Sequence, residues 1–95
     1  MENKSNIADT LEERQKTHGD YEDHARVTQR IKDIMQAERG WGGLTFSQRE
    51  TLDMIAHKIG RVLAGNPNFH DHWHDIAGYS TLIANQLVPP PKKEK

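Results

Sequence analysis

The feature that most constrains the fold of this chain is a run of apolar residues at helical spacing between positions 52 and 63. The run comprises Leu52, Ile55, Ala56, Ile59, Val62 and Leu63. Intervals of three and four place such side chains on one face of an α-helix. Ser47 followed by Glu50 fits a capping box at the start, and Gly65-Asn66-Pro67 ends the pattern. The run therefore predicts a helix that packs against other helices.

Three further segments carry weaker helical signals, at about residues 7–16, 20–38 and 71–87. Gly19 suits the left-handed conformation that ends a helix, and Asp20 stands where the N-cap of the next helix belongs. Residues 40–46 include three glycines and are expected to form a loop. Short connections make neighbouring helices antiparallel. The sequence thus predicts an all-α fold, a small antiparallel bundle of about four helices.

The size and polarity of the chain bear on domain number and assembly. Its 95 residues, 34% hydrophobic and 28% charged, allow one small domain that leaves much of its surface wet. We assign residues 1–87 to this domain and expect residues 88–95, rich in proline and lysine, to be disordered. The apolar faces of helices three and four, with Gly78 permitting close approach, predict a homo-oligomer built around those helices.

Charge and composition exclude several classes of protein. Thirteen basic residues against 14 acidic ones give no global field that would attract duplex nucleic acid or a membrane surface. The chain has no cysteine, hence no disulfide or thiolate chemistry. No apolar run approaches the ~20 residues of a membrane span, and the N-terminus lacks a signal-peptide core. We expect a cytoplasmic protein.

Polar residues are expected to converge at one end of the bundle, where helix two starts, helix three ends and helix four starts. Two cations three residues apart, beside helix N-termini, favour phosphate binding, and aromatic rings can stack on a base. The residues predicted to bind a nucleotide are His18, Tyr21, Lys58, Arg61, Asn66, Trp73 and Tyr79. The alternative is that the two cations are solvated or form surface ion pairs with Asp71 and Asp75.

A metal site is a second hypothesis for the same end. Asp71 and Asp75 share a helix face, and Asp23 or its neighbour Glu22 would supply a third oxygen; hard oxygen donors suit Mg²⁺. Glu50 and Asp53 are expected to stay apart from this site, because Asp53 lies about 12 Å from Arg61 along the helix axis. The capping box already explains Glu50.

Three segments carry a resemblance to known proteins: Lys16-Thr-His-Gly-Asp-Tyr21, Lys58-Ile-Gly-Arg61 and Asp71-His-Trp-His-Asp-Ile-Ala-Gly-Tyr79. Over about residues 10–87 they resemble a family of short phage proteins. The helix order and the Asp-Ile-Ala-Gly-Tyr segment are also similar to the MazG-like all-α nucleoside triphosphate pyrophosphohydrolases, which include phage dATP/dGTP diphosphohydrolases. That resemblance implies an oligomer that hydrolyses nucleotides with Mg²⁺ held by Glu-Glu-x-x-Glu and Glu-x-x-Asp motifs. The first motif is missing here.

Three functions remain open from the sequence. In size, helical content and phage context the chain resembles phage sponge proteins, which sequester the cyclic nucleotide signals of host defence systems such as CBASS. Our first hypothesis is accordingly a protein of the host-cell cytoplasm that binds a nucleotide or cyclic oligonucleotide without cleaving it. The alternative is a Mg²⁺-dependent MazG-like pyrophosphohydrolase. A structural or protein-binding phage bundle is the third.

Overall fold

The computed structural model describes residues 2–87 and 89, with side chains described from residue 6 onward. It contains four α-helices: α1 (Glu2–His18), α2 (Tyr21–Ala37), α3 (Phe46–Ala64) and α4 (His70–Gln86). A short 3-10 helix, Arg39–Gly43, joins α2 to α3. The all-α prediction is confirmed. The tail predicted at 88–95 lies, apart from Pro89, outside the described residues.

Local side-chain chemistry sets the starts of two helices. At α2 the Asp20 carboxylate accepts the Asp23 N–H at 3.3 Å, which confirms the predicted N-cap. At α3 the predicted box of Ser47 and Glu50 is wrong. Thr45 is the N-cap, its hydroxyl accepting the Gln48 N–H at 3.0 Å while Gln48 Oε1 accepts the Thr45 N–H at 2.9 Å. The same motif occurs twice, two residues apart, and the helix uses the first copy.

The glycine-rich segment before α3 departs from the expected loop. Residues Arg39–Gly43 form a tight 3-10 turn, closed by a 3.2 Å bond from the Leu44 N–H to the Trp41 carbonyl. Arg49 of α3 reaches back and donates to the Gly42 carbonyl at 3.1 Å. One short 3-10 helix orders few residues, so it tolerates glycines that a full α-helix would not.

Helix α3 is the centre of the bundle, packed against α2 on one side and α4 on another. Gly60 allows α2 to approach, because a Cβ there would overlap the Thr28 hydroxyl and the His24 ring. Among the described residues Ala56 is the apolar residue that is fully buried. Gly60 is also buried, and the other buried residues are polar or charged: His24, Thr28, Lys58 and His72. Few apolar side chains are therefore fully enclosed in the described part of the chain.

Two glycines bring the ends of three helices together. Gly19 has the predicted positive φ, +83°, and a side chain on it or on Gly65 would collide with the backbone of the other segment. The Thr17 carbonyl accepts two bonds from the far side, from the Asn66 N–H at 3.0 Å and from His72 Nε2 at 2.8 Å. The end of α1, the end of α3 and the start of α4 thus meet. The sequence predicted that the start of helix two, the end of helix three and the start of helix four converge here, and Gly19 and Asp20 join the end of α1 to the start of α2.

No helix in the described part of the chain has the length and apolar character needed to cross a bilayer.

Candidate functional site

A pocket of about 300 Å³ opens between the end of α1, the start of α2 and the end of α3. It is lined mainly by basic and aromatic side chains. Its walls are formed by Leu11, Arg14, Gln15, His18, Gly19, Asp20, Tyr21, His24, His57 and Arg61. The Gly19 turn, which lets α1 and α2 fold back at this point, forms part of the pocket wall.

Two guanidinium groups give the pocket its positive charge. Arg61 is half-buried, and its pKa is lowered first by that burial and then by the charge of Arg14. Among the ion pairs of the described residues, none includes Arg14 or Arg61. Arg14 is exposed and Arg61 is partly desolvated, so the two like charges repel each other across the pocket, and an anion between them would relieve that repulsion.

Three imidazoles line the same pocket in their neutral form. Burial, followed by the charge of Arg61, lowers the pKa of His18 and of His57 to about 4. Burial also lowers the pKa of His24. His24 Nε2 donates to the His57 carbonyl at 3.0 Å, so the second nitrogen of this neutral ring is an acceptor. At neutral pH the positive charge of the pocket therefore comes from the arginines.

The orientation of His18 is fixed through Thr17. The Thr17 hydroxyl lies 3.2 Å from the Arg14 carbonyl and 2.6 Å from His18 Nδ1. The single proton of the Thr17 hydroxyl can go to the Arg14 carbonyl or to His18 Nδ1, so these contacts fix the orientation of the His18 ring and not its tautomer.

Of the seven residues predicted to bind a nucleotide, the pocket brings together His18, Tyr21 and Arg61. Lys58 points elsewhere: its ammonium lies 2.8 Å from the Asp75 carboxylate, and the lysine side chain is only 9% exposed. This contact ties α3 to α4. The bond from Lys58 is the main cause that lowers the pKa of Asp75.

The other three predicted residues lie outside the pocket. The Asn66 side chain accepts the Asn68 N–H at 2.9 Å and shapes the loop before α4. The Trp73 indole donates to the Pro67 carbonyl at 2.7 Å, which fixes the ring against the same loop. Tyr79 lines separate hollows along α4, one of which it shares with Glu50 near the start of α3.

The three aspartates predicted to hold a metal are not brought together. Asp23 pairs with Arg26 at 3.0 Å, Asp75 pairs with Lys58, and Asp71 lies 3.4 Å from His70 Nδ1. Across the described residues no three His, Cys, Asp or Glu side chains converge as a metal-binding group. Each carboxylate instead has a neighbouring basic side chain as its partner.

Arg14 and His57 are pocket residues that the sequence analysis did not assign, and His24 was given no role. Arg14 and His18 are spaced i, i+4 at the end of α1, as are His57 and Arg61 on α3, so each pair shares a helix face. The spacing was therefore visible in the sequence. The sequence did not show which neighbouring helix each face contacts.

The sequence model of one protein family, described as Domain of unknown function (DUF6378), matches residues 5–87. No curated protein and no solved structure matches the chain.

Proposed function

The chain belongs to the DUF6378 family, described as a domain of unknown function, and from the chemistry of its pocket we propose that it binds a nucleotide. The observation that carries the proposal is the pair of arginines, Arg14 and Arg61, which line one pocket without an ion-pair partner among the described residues. A phosphate group between them would relieve their repulsion and accept bidentate, charge-assisted hydrogen bonds.

The rim of the pocket supports a nucleotide over a bare anion. Tyr21 is 79% exposed at the start of α2, and its ring centroid lies 6.1 Å from that of His24. An exposed ring beside a cationic pocket offers a base a flat surface for stacking, worth roughly 1–3 kcal/mol per base. Phosphate between the arginines and base on Tyr21 is the arrangement we propose.

In its fuller form the proposal is sequestration: the protein holds a nucleotide signal, such as a cyclic nucleotide of host defence, without cleaving it. It is supported by the cations, the neutral imidazoles and the exposed ring of the pocket, whose lining also includes Asp20, the N-cap of α2. The resemblance to MazG-like enzymes keeps Mg²⁺-dependent pyrophosphohydrolysis as the alternative, and a structural phage bundle as the third class.

A retention experiment separates the three classes. The protein is incubated with Mg²⁺ and, in turn, with ATP, GTP, dATP, dGTP and cyclic dinucleotides, after which free, bound and cleaved species are separated. Bound ligand that is released unchanged on heating supports sequestration. Pyrophosphate and monophosphate as products would contradict sequestration and identify the protein as a pyrophosphohydrolase. Retention of none of these compounds would contradict nucleotide binding and favour the structural class.

A further inference from the structure

Three imidazoles line the pocket between α1, α2 and α3, and His57 is the one least restrained by hydrogen bonds. His24 Nε2 donates to the His57 carbonyl, and His18 Nδ1 lies against the Thr17 hydroxyl. Within the described residues no hydrogen bond involves either ring nitrogen of His57, although this residue is only partly exposed. Its ring is held by an edge-to-face contact with His24, with 4.4 Å between the two centroids. Both nitrogens of His57 can therefore hydrogen-bond to a ligand in the pocket.

The position of His57 on α3 lets one anion contact both its ring and the guanidinium of Arg61. The two residues are spaced i, i+4, so their side chains are neighbours on one helix face, and both line the pocket. A neutral imidazole offers an anion one N–H donor and keeps a lone pair that repels it, whereas a protonated imidazole offers two donors. An anion bound to Arg61 therefore favours the protonated form of His57.

The charges around His57 are mostly positive. Burial, followed by the charge of Arg61, lowers the pKa of His57 to about 4. A bound anion acts against both causes, because its hydrogen bonds replace lost solvation and its charge offsets that of the guanidinium. The titratable and charged groups around the ring are Arg14 and His18 of α1, Asp20, Tyr21, His24 and Lys32 of α2, and, on α3, Arg61 and Lys58, the last paired with Asp75 of α4.

We propose that His57 takes up a proton when an anion binds between Arg14 and Arg61, so that the pocket binds phosphate groups more tightly as the pH falls from 7.5 to 6. The protonated ring is then a third cationic donor to the anion. This inference rests on the proposed function for the identity of the ligand, whereas the uptake of the proton applies to any anion held by the two arginines.

The direction and size of the pH effect follow from linkage. In the free protein His57 stays neutral over this range, because its pKa is about 4. In the complex the anion raises that pKa toward the ordinary value of about 6.5, so the complex binds the proton more tightly than the free protein does. A falling pH therefore favours the complex, and full restoration of the pKa strengthens binding roughly fourfold between pH 7.5 and pH 6.

Calorimetric titration of the wild-type protein tests the uptake of the proton. The probes are sodium sulfate and cyclic di-AMP at fixed ionic strength, since the charge of each stays constant between pH 6 and pH 7.5. The dissociation constant should fall roughly fourfold over this range. At pH 6.5, two buffers with different ionisation enthalpies should report about 0.5 proton taken up per bound ligand. Binding without uptake of a proton, at an affinity that does not change with pH, would overturn the proposal.

A substitution tests whether the proton is on His57. His57→Asn keeps a polar side chain and removes the titrating ring, so this variant should bind sulfate with equal affinity at pH 6 and pH 7.5. His74→Asn is the matched control, an exposed histidine of α4 outside the pocket, and should behave like the wild type. Uptake of a proton that persists in His57→Asn would place the proton elsewhere and refute the assignment.

A measurement on the wild-type protein keeps the assignment testable if circular dichroism shows that His57→Asn does not fold. The assigned NMR signals of the His57 ring are followed against pH with and without sulfate, and a pKa that sulfate does not raise would refute the assignment.

The outcomes also separate this inference from the proposed function. If sulfate binds with uptake of a proton and neither ATP nor cyclic di-AMP binds, the proposed function fails and the proton-coupled anion site stands. If cyclic di-AMP binds without uptake of a proton, the proposed function stands and this inference fails. Binding of none of the three probes would refute both.

Discussion

Lys58 was predicted from the sequence to bind a ligand, but in the structure it is buried and pairs with Asp75. Lys58 and Arg61 lie three positions apart on α3, which separates their side chains by about 60° around the helix axis. That difference turns Lys58 toward Asp75 of α4 and Arg61 toward the pocket beside α1. The sequence showed that both cations lie at the same end of the helix. It did not show which neighbouring helix each one faces.

The Lys58–Asp75 pair makes a prediction at the residue scale. Asp75→Asn should lower the free energy of unfolding more than Lys58→Met does, because the first change leaves a buried ammonium without its carboxylate and the second removes the buried charge. Urea denaturation at pH 7 compares the two variants. Equal stability losses, or a larger loss in Lys58→Met, would show that the ion pair itself is not what holds α4 on α3.

At the scale of helices, most boundaries followed from sequence patterns, but the starts of α3 and α1 did not. The stripe at 52–63 identified α3, but two overlapping capping motifs competed for its first turn, and the helix begins with the earlier one at Thr45. Helix α1 is longer than its apolar pattern predicted, since only Ile7, Ala8 and Leu11 marked a helix that spans Glu2–His18. A helix with a sparse apolar face gives a sparse periodic signal.

Replacing either of two helical glycines, Gly60 or Gly78, with alanine is expected to change the stability of the protein in opposite directions. A Cβ at Gly60 would overlap the Thr28 hydroxyl and the His24 ring, whereas a Cβ at Gly78 meets nothing within 4 Å. Gly60→Ala should therefore destabilise the protein by about 1–3 kcal/mol through overpacking. Gly78→Ala should stabilise it by about 0.5–1 kcal/mol, since alanine is the better helix former.

Thermal and urea unfolding of both glycine variants, side by side, decide the point. If Gly60→Ala is neutral, α2 and α3 are not in the close contact described above. If Gly78→Ala is destabilising instead, that face of α4 is covered in solution, which would favour the oligomer around α3 and α4 that the sequence suggested.

For the molecule as a whole, the neutral histidines link folding to pH. The pKa of His18 and of His57 is about 4 in the folded chain, below the value of about 6.5 in an unfolded chain. As the pH falls, the unfolded chain takes up protons first, so the contribution of these groups is complete above about pH 6.5 and is lost as the pH falls toward 4.

The urea midpoint of the wild-type protein should accordingly fall between pH 7 and pH 4.5. The midpoint of His57→Asn should fall less over the same interval, because this variant has one fewer histidine whose pKa is lowered by folding. Asp33→Asn is a suitable control, since Asp33 is exposed on α2 and outside the pocket. A wild-type midpoint that does not change over this range would contradict the neutral, buried state of the histidines.

The central claim is that the pocket lined by Arg14 and Arg61 binds a nucleotide. Calorimetric titration tests this claim most directly. The wild-type protein, Arg61→Ala and Arg14→Ala are titrated with whichever nucleotide the retention experiment identifies, with Arg30→Ala, an exposed arginine of α2 outside the pocket, as the control. Each pocket variant should lose about 1.5–3 kcal/mol of binding free energy, the scale of a charge-assisted hydrogen bond, while Arg30→Ala binds like the wild type. Unchanged affinity in both Arg61→Ala and Arg14→Ala would contradict the account.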